Sequence, residues 1–368
     1  MTAVLFSTVT PALAGTVTAN FTSAATIPVT AAGYTATGNT VNLSLGFAPT
    51  TGISLTVINN TGLGFISGQF SNLAQGQAVS LNYNGVTYKF VANYYGGTGN
   101  DLVLQWAYQN AYSWGSNGYG QLGNGAITIS SVPVTATGML SGKTVVAVAA
   151  GQAHGLALCS DGTVAAWGYN GYGQLGNNST TDSSVPVAVL NTGVLSGKTV
   201  VAVAAGDDYS LALCSDGTVA AWGANYSGQL GNNSTTNSSV PVAVTFTGLL
   251  SGKMVVAVAA GQAHSLALCS DGTVAAWGNN NYGQLGNNGT TASSVPVAVI
   301  RTGVLSGKTV VAVTAGGAHS LALCSDGTVA AWGWNVMGQL GNNSTTDSSV
   351  PVAVVNTGVL SGKTVVAV

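Results

Sequence analysis

Three glycine-rich patterns in this chain have the residue types of loops that hold phosphate or calcium. Gly171–Gly176 (GYGQLG) and Gly118–Gly123 satisfy G-x-G-x-x-G, which in a strand–helix unit lets a pyrophosphate reach a helix N-terminus. Gly193–Thr199 (GVLSGKT) imitates a phosphate-wrapping loop, and Gly96–Leu104 (GGTGNDLVL) fits the nonapeptide of calcium-binding β-rolls, with Asp101 as the carboxylate. Context weakens all three. The first run leads into NNSTTDSSVP, which is not a helix pattern. The second has three residues between its glycines, whereas a phosphate-wrapping loop needs four, and it precedes a strand-like run. The third occurs once, and a lone copy supplies only half of an ion site that successive turns share. A metal at Asp101 is therefore a weak expectation, and no other metal site is expected.

The histidines and cysteines point the same way. His154, His264 and His319 fill one recurring slot, in which Tyr209 stands once. No nucleophile–carboxylate set accompanies them, so they are expected to be structural. Cys159, Cys214, Cys269 and Cys324 recur in register at the end of LALC and lack the spacing of a metal site. They are expected to be buried and unpaired. No catalytic group and no cofactor are implied.

The elements that carry these residues are repeats. The marker LALCSDGTVAAWG recurs four times at a spacing of 55 residues, its units opening at Gly151, Gly206, Gly261 and Gly316. A fixed period of this size denotes an array of one supersecondary unit. Each unit holds four strand-like runs, in the first copy His154–Cys159, Thr163–Trp167, Val185–Leu190 and Thr199–Ala205. Asp161–Gly162 between the first two is a tight-hairpin signal, because that pair reaches positive φ at low cost. A four-stranded unit this short cannot cover both of its faces alone, and stacking does so. Trp167, Trp222, Trp277 and Trp332, one per unit, are placed to wedge each unit against its neighbour. A further unit begins at Trp114.

Composition fits an all-β chain with an uncharged polar surface. Charged residues make up 4% of the 368, Glu is absent, and 52 residues are Gly, against about 25% charged in an ordinary domain. Lysines fall one to a repeat, too few and too scattered for a phosphate-binding stripe, so nucleic acid is not an expected partner. No apolar run is long enough to span a bilayer as a helix. Met1–Gly15 has an apolar stretch and a small-residue site at Ala12–Ala14 but no basic start, so a strand whose upstream sequence is missing is favoured over an export signal.

The unit VVAVAAGxxHxLALxxDGxVxxWGxNxxGQLG resembles the repeat of the regulator of chromosome condensation family, over residues 113–368. The resemblance implies a β-propeller. Members close a seven-bladed ring, which needs more repeats than are present here, so the expectation is a partial, open propeller of four-stranded blades. It would occupy residues 108–368, truncated within its last strand. A smaller β-rich module is expected over residues 1–107, with strands at Thr40–Leu45, Ser54–Ile58, Ala78–Tyr83 and Thr87–Ala92. Part of that module resembles segments found in large secreted adhesin-like bacterial proteins.

Differences between the copies suggest where binding would occur. The loop after each WG carries Tyr169 and Tyr172, then Ala224 and Ser227, then Asn279 and Tyr282, then Trp334 and Met337. The slot before the first strand becomes Asp207, Asp208 and Tyr209 in the second copy. Exposed Tyr, Trp and Met favour protein recognition. The expectation is a non-catalytic protein, secreted or displayed on a bacterial surface, that binds a protein or glycan through these loops. Two alternatives stand beside it. One is a purely architectural span of an adhesin; the other, implied by the resemblance, is an inhibitor or guanine-nucleotide exchange regulator.

Overall fold

The computed structural model describes residues 15–107 and 110–368, so the signal-like stretch up to Ala14 lies outside the described residues. Each repeat forms one antiparallel four-stranded sheet whose spatial order is its chain order. Blade one contains Val145–Ala150, His154–Cys159, Val164–Gly168 and Ser183–Ala188. Blade two contains Val200–Ala205, Tyr209–Cys214, Val219–Gly223 and Ser238–Ala243. Blades three and four repeat the arrangement from Val255 to Ala298 and from Val310 to Ala353. Before them, Tyr112–Gly115 pairs with Ser130–Thr135 as a two-stranded half-blade.

The first strands of successive blades lie against one another, which makes them the inner edge of a propeller arc. The middle strands of blade one are buried at every residue, and those of blades two and three likewise. Burial on both faces explains why HxLALC and VAAWG read as nearly continuous apolar runs instead of an alternation. The outer strand differs from the expected Val185–Leu190 and runs from Ser183, which pairs with Gly168. Pro186 is acceptable there because an outermost strand need not donate on its free side.

The indoles lie between neighbouring blades. Trp167, Trp222, Trp277 and Trp332 are at most 4% exposed, and each Nε1–H donates across the blade boundary to a glutamine carbonyl, of Gln121, Gln174, Gln229 and Gln284 in turn. Trp114, in the equivalent place on the half-blade, is 63% exposed. The cysteines are buried and free. The phosphate-loop imitation is a short 3-10 turn, Gly193–Leu195, leading into a strand, and its Lys198 pairs with Asp216.

The N-terminal residues build a five-stranded sheet in the order Val29–Ala31, Leu55–Asn60, Asp101–Trp106, Val86–Gly96, Ala78–Tyr83. Beside it, Thr16–Phe21 pairs in parallel with Thr40–Leu45. Asp101 is 5% exposed. Its carboxylate accepts the main-chain N–H of Asn60 at 2.7 Å and of Thr98 at 3.0 Å, so it staples the glycine turn to the neighbouring strand.

Candidate functional site

Strand direction divides each blade into two ends. In blade one His154 pairs with Gly168 at one end and Leu158 with Val164 at the other. The long variable loops leave from the first end, and the Ser160–Gly162 hairpins lie at the second. The N-terminal module sits at the hairpin end. Tyr95 lies beside Ser215 in the hairpin of blade two, and Phe65 and Tyr95, edge to face with each other, pack against the core between blades two and three. At Gly76 the main chain comes so close to the Ser160 carbonyl that a Cβ would lie 2.4 Å from it. The module thereby meets the hairpin ends of blades one and two, on the face opposite the variable loops.

Buried asparagines fix the loops. Asn170 donates through Nδ2 to the carbonyls of Ser179 and Thr181 and accepts at Oδ1 from the N–H of Leu175, 2.9 Å away. Asn117, Asn225, Asn280 and Asn335 make the equivalent bonds. Asn178, at φ +60°, turns the chain in the left-handed region that asparagine tolerates. Sequence reasoning overlooked this staple, although the N in WGxN was present in every copy. With the backbone held, the residues on either side of it are presented outward.

Their side chains follow an inter-blade rule. The second variable residue of one loop packs on the first variable residue of the next. Tyr119 meets Tyr169 with ring centroids 4.9 Å apart, and Tyr282 meets Trp334 at 5.9 Å. Tyr172 then stands edge-on to Tyr169 at 6.1 Å. Between these two aromatic groups, the first variable residue of blade two is Ala224, which is fully buried and adds no ring to the row. Asp207 and Asp208 lie in this gap, half-buried, flanked by Tyr172 and by Tyr226, which is 56% exposed. Burial, and then the neighbouring Asp207, raise the pKa of Asp208 above the usual carboxylate value.

Of the expected binding residues, Tyr172, Tyr282 and Met337 are exposed, while Tyr169, Trp334, Asp207 and Asp208 are half-buried on the loop face. Tyr209 is a correction. It is wholly buried, donating its hydroxyl to the His264 carbonyl and accepting from Ser265, because it occupies the histidine slot between blades and not a loop. Tyr119 and Tyr226 belong to the aromatic face and were missed. Each stands in the WGxNxxG window and was legible there as a copy-to-copy difference.

His154 and His264 lie buried between blades with one ring nitrogen bonded and the other not. Nε2 of His154 meets Ser210 Oγ at 3.0 Å, and that hydroxyl already donates to the Gln174 carbonyl, so Nε2 carries the proton. Nδ1 of His154 and of His264 is buried without a partner. Burial lowers their pKa values to about 4 and about 3.

Charge separates between the two faces. Lys143, Lys198, Lys253 and Lys308 pair with Asp161, Asp216, Asp271 and Asp326 at the hairpin end. Arg301 donates to the Lys308 carbonyl there. Asp182, Asp207, Asp208 and Asp347 belong to the loop face, and no lysine or arginine accompanies them. No cluster of three or more His, Cys, Asp or Glu side chains that could hold a metal occurs among the described residues.

The RCC1-like domain family model matches residues 77–368. The ultraviolet-B receptor UVR8 of Arabidopsis thaliana is 34% identical over 66% of this chain and 53% of its own length. The human probable E3 ubiquitin-protein ligase HERC6 is 36% identical over 66% of this chain and 23% of its own. The chain thus spans about half, or less, of these relatives. Among solved structures, human WBSCR16 superposes with a TM-score of 0.60 at 29% identity, covering 70% of this chain and 65% of that one. Yeast RCC1 (Prp20), in its complex with Kap60, gives 0.57 at 26% identity, covering 66% and 57%.

Proposed function

This chain belongs to the RCC1-like domain family, and from that premise we propose that it is a non-catalytic binding protein that holds a protein partner on its loop face. One observation carries the reading: the loop face presents two groups of packed aromatic side chains, while the N-terminal module packs against hairpins on the opposite face. Tyr and Trp supply large contact areas at small entropy cost, which is why they dominate binding energy at interfaces. The buried asparagines hold the loops in place before a partner arrives, lowering the ordering cost of association. Relatives described as a receptor, as ubiquitin ligases and as a protein bound by Kap60 fit a module used for recognition. Catalysis is not part of the reading, because the loop face brings together no nucleophile, base and oxyanion donor. Display outside a bacterial cell is also proposed, on the sequence argument of a nearly uncharged surface alone.

A photo-crosslinking amino acid placed at Tyr172 or Met337, in an extract of the source cells, tests the reading. A discrete protein adduct is expected from these positions, lost with Trp334→Ala and absent when the crosslinker replaces Asn84 on the N-terminal module. Equal labelling from both regions, or no adduct at either loop position, would leave a purely architectural protein.

A further inference from the structure

We infer that the cleft over blade three is a binding site for a neutral sugar ring, held among Tyr226, Tyr282 and the side-chain amides around them. The inference goes beyond the protein-partner reading and does not depend on it.

Room is the first argument. The cleft has a volume of about 250 Å³ and is lined by Tyr226 of blade two, by residues of blade three, and by Gly317 and Ala318 of blade four. The slot that Gly317 fills holds Gln152, Asp207 and Gln262 in the other three blades. Its main chain keeps the bond between blades, since the Gln262 N–H donates to the Gly317 carbonyl at 3.0 Å. A Cβ on Gly317 would meet nothing within 4 Å, so the missing side chain leaves open space at this blade. The volume is below the roughly 300–1,000 Å³ of pockets for drug-sized ligands. That suits one substituted ring better than a length of extended chain.

The walls are the second. Tyr226 and Tyr282 both line the cleft, and both are exposed. Tyr282 is braced by Trp334, with ring centroids 5.9 Å apart. An aromatic face is negatively polarised. It attracts the C–H groups along one side of a pyranose, which the attached oxygens make slightly positive.

Polarity is the third. The other polar side chains of the lining are all amides, of Gln262, Asn279, Asn281 and Gln284. The Gln284 Nε2 donates to Asn279 Oδ1 at 2.8 Å, and the Asn281 N–H donates to the same oxygen at 3.2 Å. These bonds hold the group in place before a ligand arrives, while Gln262 and Asn281 stand exposed. Each amide offers both donors and an acceptor, as a set of sugar hydroxyls does. Among the described residues, no carboxylate, lysine, arginine or histidine lines the cleft. An ion of either sign would lose water there and gain no counter-charge. A hydrocarbon ring would displace water from the amides without replacing its hydrogen bonds.

The test uses the full chain and the methyl pyranosides of glucose, galactose, mannose and N-acetylglucosamine, with glucuronate and adenosine as comparators. Saturation-transfer NMR should show transfer to the ring C–H protons of at least one of the four, saturating at about millimolar concentration. Gly317→Gln should abolish it. The variant restores the residue that two other blades carry in this slot, so it should fold with an unchanged Tm. Tyr226→Ala should weaken binding about tenfold, whereas Tyr112→Ala, which removes an exposed tyrosine of the half-blade, should not change it. No transfer to any of the four, undiminished transfer in Gly317→Gln, or an equal loss in Tyr112→Ala and Tyr226→Ala each overturns the inference. Adenosine or glucuronate binding as well as the best pyranoside overturns it too, because the cleft would then select flatness or charge and not a sugar. The crosslinked adduct at Tyr172 or Met337 reports on the protein partner alone, so the failure of either reading is seen separately from the other.

Discussion

The indole Nε1 of Trp222 donates to the main-chain carbonyl of Gln174, one blade earlier, across 2.8 Å. The same carbonyl also accepts from Ser210 Oγ at 2.9 Å. Two donors from blade two thus converge on one acceptor of blade one, at the root of the loop that presents Tyr172. The contact that holds neighbouring blades together therefore also sets the height of the variable loops.

Replacing Trp222 separates packing from hydrogen bonding. Trp222→Ala removes a fully buried ring and is expected to cost about 3–5 kcal/mol. Trp222→Phe keeps most of the ring and loses the N–H bond. Its cost should be about 1–2 kcal/mol, because Ser210 still satisfies the Gln174 carbonyl. Urea unfolding followed by tryptophan fluorescence measures both. Equal losses for the two variants would show that the bond, and not the packing, unites the blades.

Glycines next to the indoles give a sharper comparison. Gly286 has φ +63°, and a Cβ there would lie 2.8 Å from Trp332 Nε1. Gly341, its counterpart in the next repeat, has φ +58°, but a Cβ would meet only Val354 Cγ1, at 3.3 Å. Alanine at either site bears the same left-handed strain of about 1–2 kcal/mol, and only Gly286→Ala adds an overpacking cost of about 1–3 kcal/mol. Gly286→Ala should therefore lower the urea midpoint clearly more than Gly341→Ala. Matching midpoints would mean that backbone strain alone requires glycine in this slot.

The repeat made the blades legible, because a strand buried on both faces has to be apolar at every position, and VAAWG and LALC are. The outer strand was misplaced by two residues because Pro186, which speaks against a central strand, is harmless at an edge. Tyr209 was misread for a different reason. A tyrosine beside two aspartates looks like surface, yet its register is that of His154, and register outweighs composition inside a repeat. The loop asparagines escaped notice because invariance between copies was read as framework without asking which backbone groups needed a partner. The charge separation between faces could not be seen at all before strand direction told the two ends of a blade apart.

The thiols provide a check on blade packing. Burial pushes the Cys159 pKa up to about 11 and that of Cys214 up to about 12, so neither forms the reactive thiolate near neutrality. Iodoacetamide at mildly alkaline pH should leave both unmodified in the folded protein, and label all four cysteines once urea is added. Mass spectrometry of the intact chain counts the adducts. Rapid labelling without urea would mean that the blades open far more readily than their packing implies.

The histidine slot predicts an acid-sensitive fold and also its remedy. His154 and His264 titrate near 4 and near 3 in the folded protein because burial opposes the imidazolium. The unfolded chain takes up their protons near pH 6.5. Between those values the unfolded state binds more protons, so stability rises with pH there. The contribution of the two side chains is whole above about pH 6.5 and declines as pH falls below it, by about 2 kcal/mol each at pH 5. The paired aspartates act only lower, because their ordinary value is already 3.8 and Lys253 and Lys308 help hold Asp271 and Asp326 at about 2. Tyr209 shows that the slot accepts a neutral ring, with its hydroxyl bonded to the next blade's carbonyl and serine. His154→Tyr with His264→Tyr should therefore fold, and should lose much less Tm than the parent between about pH 7.5 and about pH 5. Melting curves across that window decide the matter. A parent Tm that does not move would show that these imidazoles are not held neutral by burial, and a tyrosine variant as acid-sensitive as the parent would place the titrating groups elsewhere.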